Sequence, residues 1–462
     1  MTDRSSVTLL IVESKAHVLY VQLIAQILAK GHSKPIICFT YRYFGVDADI
    51  SIFIRLGMTV VDNIGKPIKS EDSPPVSKNS VKRNLRALIK RSLPADWRSG
   101  SLCIQFKAQL SYKRLARILL DAVAPDFLIL VDVNVENGSG VLVNTAKARG
   151  ITVGIFPYSI CDATEAAETF YDSRNHQVYG IWNRIAAQLW PRWVYTYKSR
   201  RLLRLPGAKV ISQEILCNAA PVPWLPNSSR ADFICAESVA AKSYMQRAGL
   251  PTNQIALVGS PCDKLLAAAR RERSVRRSEL FSRFGWDESA PLVLCAFPPN
   301  QLPIRERNCE FDNFSKLVEF WMNTLKGLQG CFVGICPHPR MDVTELKPFE
   351  SPNLKILSDT VLELIPLCEC YVASASATIR WSIACGIPVI NYDVYRYEYK
   401  DFSSAKGVLT TTSKGDFSDA LIKIVKGGDF RAKMTDAQAE AAVEWGMLDE
   451  GFDDRLLQLL QT

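Results

Sequence analysis

Two short apolar runs, CFVGIC at 331–336 and CYVA at 370–373, constrain this chain more than any other feature. Neither alternates polar with apolar residues. Each therefore reads as a strand covered on both faces, as in a parallel sheet flanked by helices. Each ends abruptly in small or polar residues: Pro337-His338-Pro339-Arg340 after the first, Ser374-Ala375-Ser376-Ala377-Thr378 after the second. A helix-like segment then runs to Cys385-Gly386, and a third strand is expected over 388–392. In open α/β sheets, functional groups lie just beyond the carboxyl ends of strands. A Ser/Thr cluster that opens a helix joins hydroxyls to unpaired backbone N–H groups, which suits a phosphate. His338, Arg340, Ser374, Ser376 and Thr378 are thus expected to hold the phosphate of an activated small molecule. The plainer alternative makes Ser374 a helix cap and the prolines strand terminators.

The strand–turn–helix rhythm extends over most of the chain. Strands are expected over 7–12, 35–40, 126–131, 151–156, 232–235, 254–258 and 291–297, with amphipathic helices between them. A length of 462 residues exceeds one ordinary core and suits two or three domains. The proline-rich PVPWLP at 221–226 is the expected hinge. The domains are drawn as 1–222, 223–435 and closing helices over 436–462.

Several residues of the first half fall where ligands bind. The first strand is not followed by a GxGxxG, so a dinucleotide clamp is not expected there. His17 opens the first helix at a strand's carboxyl end. Asp47-Ala48-Asp49 is a D-x-D, read here as helix capping rather than a metal site. The strand at 126–131 ends in DVNVENGSG. Within that loop, Glu136 is the expected general base, since a carboxylate can take a proton from an attacking hydroxyl, with Asp132 orienting it. Asp162 and Glu165 look like a capping box, and Glu165 is also a candidate to face substrate.

The net charge is +9, which suits an anionic ligand or surface. Six basic residues and no acid lie between Lys78 and Arg91, read as a lid or surface arm. Residues 174–213 carry eight basic residues and no acid, interleaved with Trp182, Trp190, Trp193, Tyr179, Tyr195 and Tyr197. That mixture suits an anionic membrane surface. No nucleic-acid motif accompanies it, so nucleic acid is not expected as a partner. The 13 cysteines are scattered without paired metal spacings and read as buried thiols of a cytoplasmic protein. No window reaches the roughly 18–20 apolar residues of a membrane span. The expected location is the cytoplasm, peripheral to the inner face of the membrane.

The order of these signals resembles the GT-B superfamily, with two Rossmann-like domains facing across a cleft. It is most similar to non-hydrolysing UDP-N-acetylglucosamine 2-epimerases and bacterial surface-polysaccharide glycosyltransferases. DFICAESVAAKSYMQRAGLPTNQIALVGSPCDKLL resembles their strand–helix–strand unit ending in a Gly-x-Pro turn, here Gly259-Ser260-Pro261. CPHPR resembles their His-Pro element, and SASATIRWSIACGIPVI their nucleotide-phosphate helix. The resemblance implies donor-phosphate contacts from His338, Ser374, Ser376, Thr378, Gly259 and Ser260. Three departures stand against epimerisation. The loop after 291–297 reads PPNQLPIRERN and lacks the epimerases' histidine. Their Asp-Ser-Gly-Gly turn is replaced by Ser374-Ala375-Ser376-Ala377, and Ile379-Arg380-Trp381 stand where a glutamate is usual. The His-Pro element with a serine cluster also resembles sialyl- and Kdo-type transferases, and NYDVYRYEYKDFSSAKGVL resembles CDP-glycerol transferases. The expectation is a metal-independent glycosyltransferase, without a cofactor, that moves a sugar from a nucleotide-sugar donor to a glycan or lipid-linked acceptor. A UDP-GlcNAc 2-epimerase-like enzyme and a CMP- or CDP-dependent transferase are the alternatives.

Overall fold

The first strand of the chain, β1 (Val7–Val12), sits inside a sheet whose order reverses beside it. β2 (Lys34–Phe39) and β3 (Thr59–Val61) lie on one side, and β4 (Phe127–Leu130) and β5 (Thr152–Ile155) on the other. A hairpin, β6 (Val194–Tyr197) and β7 (Arg200–Leu203), precedes β8 (Phe233–Ala236) and β9 (Ile255–Leu257), which extend the β5 edge. The order is β3-β2-β1-β4-β5-β8-β9, and pairing is parallel from β3 through β8. This computed structural model describes residues 6–31, 33–40, 46–68, 102–158, 163–305, 308–338 and 341–461.

A second sheet repeats the plan. Its strands are β10 (Leu292–Phe297), β11 (Phe332–Pro337), β12 (Leu354–Ile356), β13 (Cys370–Ala373), β14 (Val389–Tyr392) and β15 (Val408–Thr411). They run β12-β11-β10-β13-β14-β15, all parallel. Counted within each sheet, both show the doubly wound order 3-2-1-4-5-6. The chain accordingly forms two units: Met1–Ala236 with Ser243–Ala256 and Asp453–Thr462, and Glu237–Lys242 with Leu257–Phe452.

Apolar strands become buried strands because helices cover both faces. In the second unit Asn313 caps helix Phe314–Lys326 by accepting the Lys316 N–H. The spacing of Leu317, Val318, Trp321, Met322 and Leu325 turns one face inward. Trp321 is fully buried, with the rings of Phe297, Tyr392 and Phe417 at 5.3, 5.0 and 5.1 Å. In the first unit the C-terminal helix Phe452–Leu459 lays Leu457 on Gly31, where any β-carbon would collide with it.

Some boundaries differ from the sequence reading. The helix before β4 is long, Leu102–Val123. The closing helices are Gly428–Trp445, which begins eight residues before 436, and Phe452–Leu459; extended Gly446 follows the first, close against Ala384. Residues 174–213 fold as helix Ile181–Leu189, the hairpin and helix Gly207–Ile215. There Trp193 is buried among Leu203, Leu205 and Val210, and its indole N–H donates to Glu214. Arg192, Lys198, Arg200 and Arg204 pair with Glu214, Glu168, Asp172 and Glu136. Those four cations thus have carboxylate partners from this same unit. Among the described residues no helix is long and apolar enough to cross a membrane. Most described cysteines are buried, although Cys103 and Cys217 are exposed.

Candidate active site

In the first unit the order reverses between β1 and β4, and the crevice outside their carboxyl ends is where such sheets bind ligands. Ile11 pairs with Leu130. Two residues further along each strand stand Glu13 and Asp132, so parallel register brings two carboxyl groups together. Burial, and then the charge of Asp132, push Glu13 up to about 8, while a hydrogen bond from Asn137 to its Oε2 at 3.3 Å opposes this. Burial raises Asp132 to about 6 against the Val133 N–H and the Arg204 charge. At neutral pH Glu13 retains a proton and Asp132 is mostly ionised.

His17 completes the cluster. It is 3% exposed, its ring lies 5.2 Å from that of Tyr158, and burial lowers it to about 4. Its Nδ1 accepts the Glu13 N–H at 3.3 Å. The neutral imidazole therefore carries its proton on Nε2, which makes it a donor there and not a base.

A cavity of about 300 Å³ opens beside this edge, and Asp132, Glu136, Tyr158, Glu165, Phe170 and Arg204 are among its lining residues. Three carboxylates singled out in the sequence, Asp132, Glu136 and Glu165, thus meet around one space. Glu136 is not at liberty there, because Arg204 Nη1 lies 2.6 Å from its Oε1. Arg204 in turn rests 5.1 Å from the Phe170 ring. Lys209 Nζ donates to the Glu136 carbonyl at 2.5 Å. Asp132 has no such ion pair among the described residues, and burial raises its proton affinity.

In the second unit the order reverses between β10 and β13. Phe297 pairs with Pro337, and Cys295 with Val372. His338 therefore follows β11 on one side of the β10 terminus, and Ser374 follows β13 on the other. Two strand spacings, roughly 10 Å, separate their backbones. Ala375 has φ +43°, and its N–H donates to Asn391 Oδ1 at 2.8 Å, which fixes the turn from β14. Thr378 Oγ1 bonds both Ser376 Oγ at 2.7 Å and the buried Tyr371 hydroxyl. Ser374 Oγ is shielded from solvent and has no hydrogen-bond partner among the described residues. The three hydroxyls thus share one turn, and one of them is unsatisfied.

Gly259 has φ +94°, a conformation that favours glycine. Ser260 is buried in the following turn: its N–H donates to Asp263 Oδ2 at 2.8 Å, and its Oγ accepts the Cys262 N–H at 3.2 Å. Behind it lies a charged cluster. Arg380 pairs with Glu237 at 2.7 Å, and burial raises Asp263 to about 8. Gly259 and Ser260 therefore lie against a buried ion cluster, with the Ser260 hydroxyl engaged in the turn. Asp49 lies within helix Val46–Arg55 and is buried. Arg340, Asp162 and the basic segment between Lys78 and Arg91 lie outside the described residues.

Glu13, Asn137, Tyr158 and Arg204 were not singled out as site residues from the sequence. Glu13 alone had a usable signal, an acid directly after the first apolar strand of a doubly wound pattern. The others arrive through tertiary contacts.

No protein-family model matches the chain, and no curated protein matches it. Solved structures do. UDP-GlcNAc 2-epimerase from Neisseria meningitidis, bound to UDP-GlcNAc, matches with a TM-score of 0.52 and 11% identity, over 98% of this chain and 100% of that one. The calicheamicin glycosyltransferase CalG4 matches at 0.54 and 12%, over 99% and 98%. The wall teichoic acid polymerase TagF matches at 0.52 and 8%, over 99% and 88%. Together with the two sheet orders, these similarities define the fold: two Rossmann-like units of the GT-B kind. It is a fold that glycosyltransferases and sugar-nucleotide epimerases use, and the identities are too low to carry a reaction across.

Proposed function

We infer that the protein is a glycosyltransferase that moves a sugar from a nucleotide-activated donor to the hydroxyl of a glycan or lipid-linked acceptor, as in surface polysaccharide assembly. The observation that carries this reading is the unequal carboxyl pair at the first unit's switch point, Asp132 ionised beside protonated Glu13. Asp132 lines the cavity that would receive the acceptor. It takes the proton as the acceptor oxygen bonds to the anomeric carbon. The bond from that carbon to the donor phosphate breaks, and the phosphate leaves with the electron pair. Protonated Glu13 and the Nε2–H of His17 orient the acceptor. Ser374, Ser376, Thr378 and His338, at the carboxyl edge of the second sheet, are assigned to the departing phosphate, where fixed donors lower the barrier most. That assignment needs no metal.

The test is nucleotide release from a panel of UDP-, CMP- and CDP-activated donors, with and without acceptor glycans. Asp132→Asn is expected to slow acceptor-dependent release by about a hundredfold or more. Turnover unchanged in that variant would remove the mechanism. The epimerase reading has support in the Neisseria likeness over 98% of the chain. UDP-GlcNAc converted to its 2-epimer without acceptor would establish it instead.

A further inference from the structure

Helix Leu102–Val123 carries a face that the described residues of its unit leave uncovered. Gln109, Ala116, Leu119 and Leu120 are its buried residues. Outward, Ile104 is 55% exposed and Leu110 51%, with Tyr112, Leu115 and Ile118 also in solvent. These are five of the sixteen large apolar side chains exposed among the described residues, so one helix holds nearly a third of them. At ~100° per residue, Ile104, Leu115 and Ile118 fall within about 60° of one another and form a line along the helix. Lys107 and Arg114 stand beside that line and Arg117 a step further round, all three exposed. The helix's one acid, Asp121, lies among these cations and pairs with Arg149 at 2.8 Å. Helix Gly207–Ile215 packs alongside, and helix Ile181–Leu189 packs on that in turn. They leave Ile215, Ile181 and Leu189 exposed.

We propose that this helix is the protein's docking surface for an anionic lipid bilayer and lies in the plane of the interface. The apolar line enters the acyl boundary. The stems of Lys107 and Arg114 lie along it and carry their charges to lipid phosphates, with Arg117 further round the helix. Three outward cations against one acid that is already paired make this face net cationic and complementary to an anionic leaflet, and the net charge of +9 adds long-range attraction. This places the contact on a helix whose cations have outward positions, not on the hairpin region, where Arg192, Lys198, Arg200 and Arg204 are already paired. The proposal is independent of the reaction assigned above.

The test is flotation of the full chain with phosphatidylcholine vesicles, with and without phosphatidylglycerol. Binding is expected only with the anionic lipid and is expected to weaken with salt. Leu115→Gln/Ile118→Gln and Lys107→Glu/Arg114→Glu should each reduce it about tenfold or more. Val443→Gln, at a residue 78% exposed in the other unit, should leave it unchanged. These sites are exposed, so circular dichroism should show the fold intact. Three results would overturn the proposal: no vesicle binding by the wild type, binding that neither double variant weakens, or a dimer that Leu115→Gln/Ile118→Gln dissociates in place of any lipid effect.

Discussion

Glu13 and Asp132 lie side by side at the carboxyl edge of the first sheet, 119 residues apart in the chain and each two positions beyond the paired Ile11 and Leu130. Burial holds the first to about 8 and the second to about 6. Two similar side chains thus acquire different protonation states at neutral pH, a division that proton-transfer sites exploit. Glu136 lines the same cavity and is ion-paired with Arg204.

Substitution should separate these carboxylates. Asp132→Asn is expected to lower acceptor-dependent turnover by about a hundredfold or more, and Glu136→Gln by less than about tenfold. Steady-state rates of the two variants under one set of conditions decide it. Equal losses would mean that Arg204 does not divert Glu136 from the chemistry.

Stability should fall as pH rises. Folded Glu13 keeps, between about 4.5 and 8, a proton that the unfolded chain releases. Its contribution is full below about 4.5 and is lost as pH climbs through about 8, with a ceiling of about 5 kcal/mol. Neutral His17 opposes this below 6.5, because it holds out to about 4 where the unfolded imidazole protonates. The informative comparison is therefore Glu13→Gln against wild type, in which His17 is common to both. Urea midpoints from pH 5 to 8 should decline less steeply in the variant. Parallel curves would place the Glu13 carboxyl in water.

Arg380 should be structurally indispensable to its unit. It is 5% exposed and pairs with buried Glu237, near Asp263. Arg380→Met leaves the buried Glu237 without its counter-charge and is expected to cost about 3–5 kcal/mol of unfolding free energy. Denaturant unfolding of the full chain reads this directly. A loss under about 1 kcal/mol, the scale of an exposed pair, would mean that solvent reaches the cluster.

The serine turn offers a contrast between two hydroxyls. Thr378→Val strands the buried Tyr371 hydroxyl, so about 1–3 kcal/mol of stability should go. Ser374→Ala removes an oxygen with no partner among the described residues and should leave the unliganded melting temperature unchanged or higher. If Ser374 meets the donor phosphate, that variant should show a smaller melting-temperature rise with UDP, CMP or CDP. An identical rise in wild type and variant would exclude the contact.

Much of the architecture was legible in the linear chain. The apolar runs at 331–336 and 370–373 became β11 and β13, and the loops after them stand at the carboxyl edge of one sheet. The short strands β3, β12 and β15 escaped notice, because three or four residues carry little periodicity. The hairpin β6–β7 was hidden by its aromatic and basic composition, which looked like a surface and in part encloses Trp193.

The sequence by itself determined the longer buried strands and what stands at their ends, since burial on both faces demands unbroken apolar runs and ends them at polar residues. Only the tertiary structure decided which of those ends share a site. Strand order joined Glu13 to Asp132, placed Arg204 on Glu136 and set the β10 terminus between His338 and Ser374. Proton affinity, pairing and solvent exclusion depend on neighbours distant in the chain, and local pattern does not encode distance across a sheet.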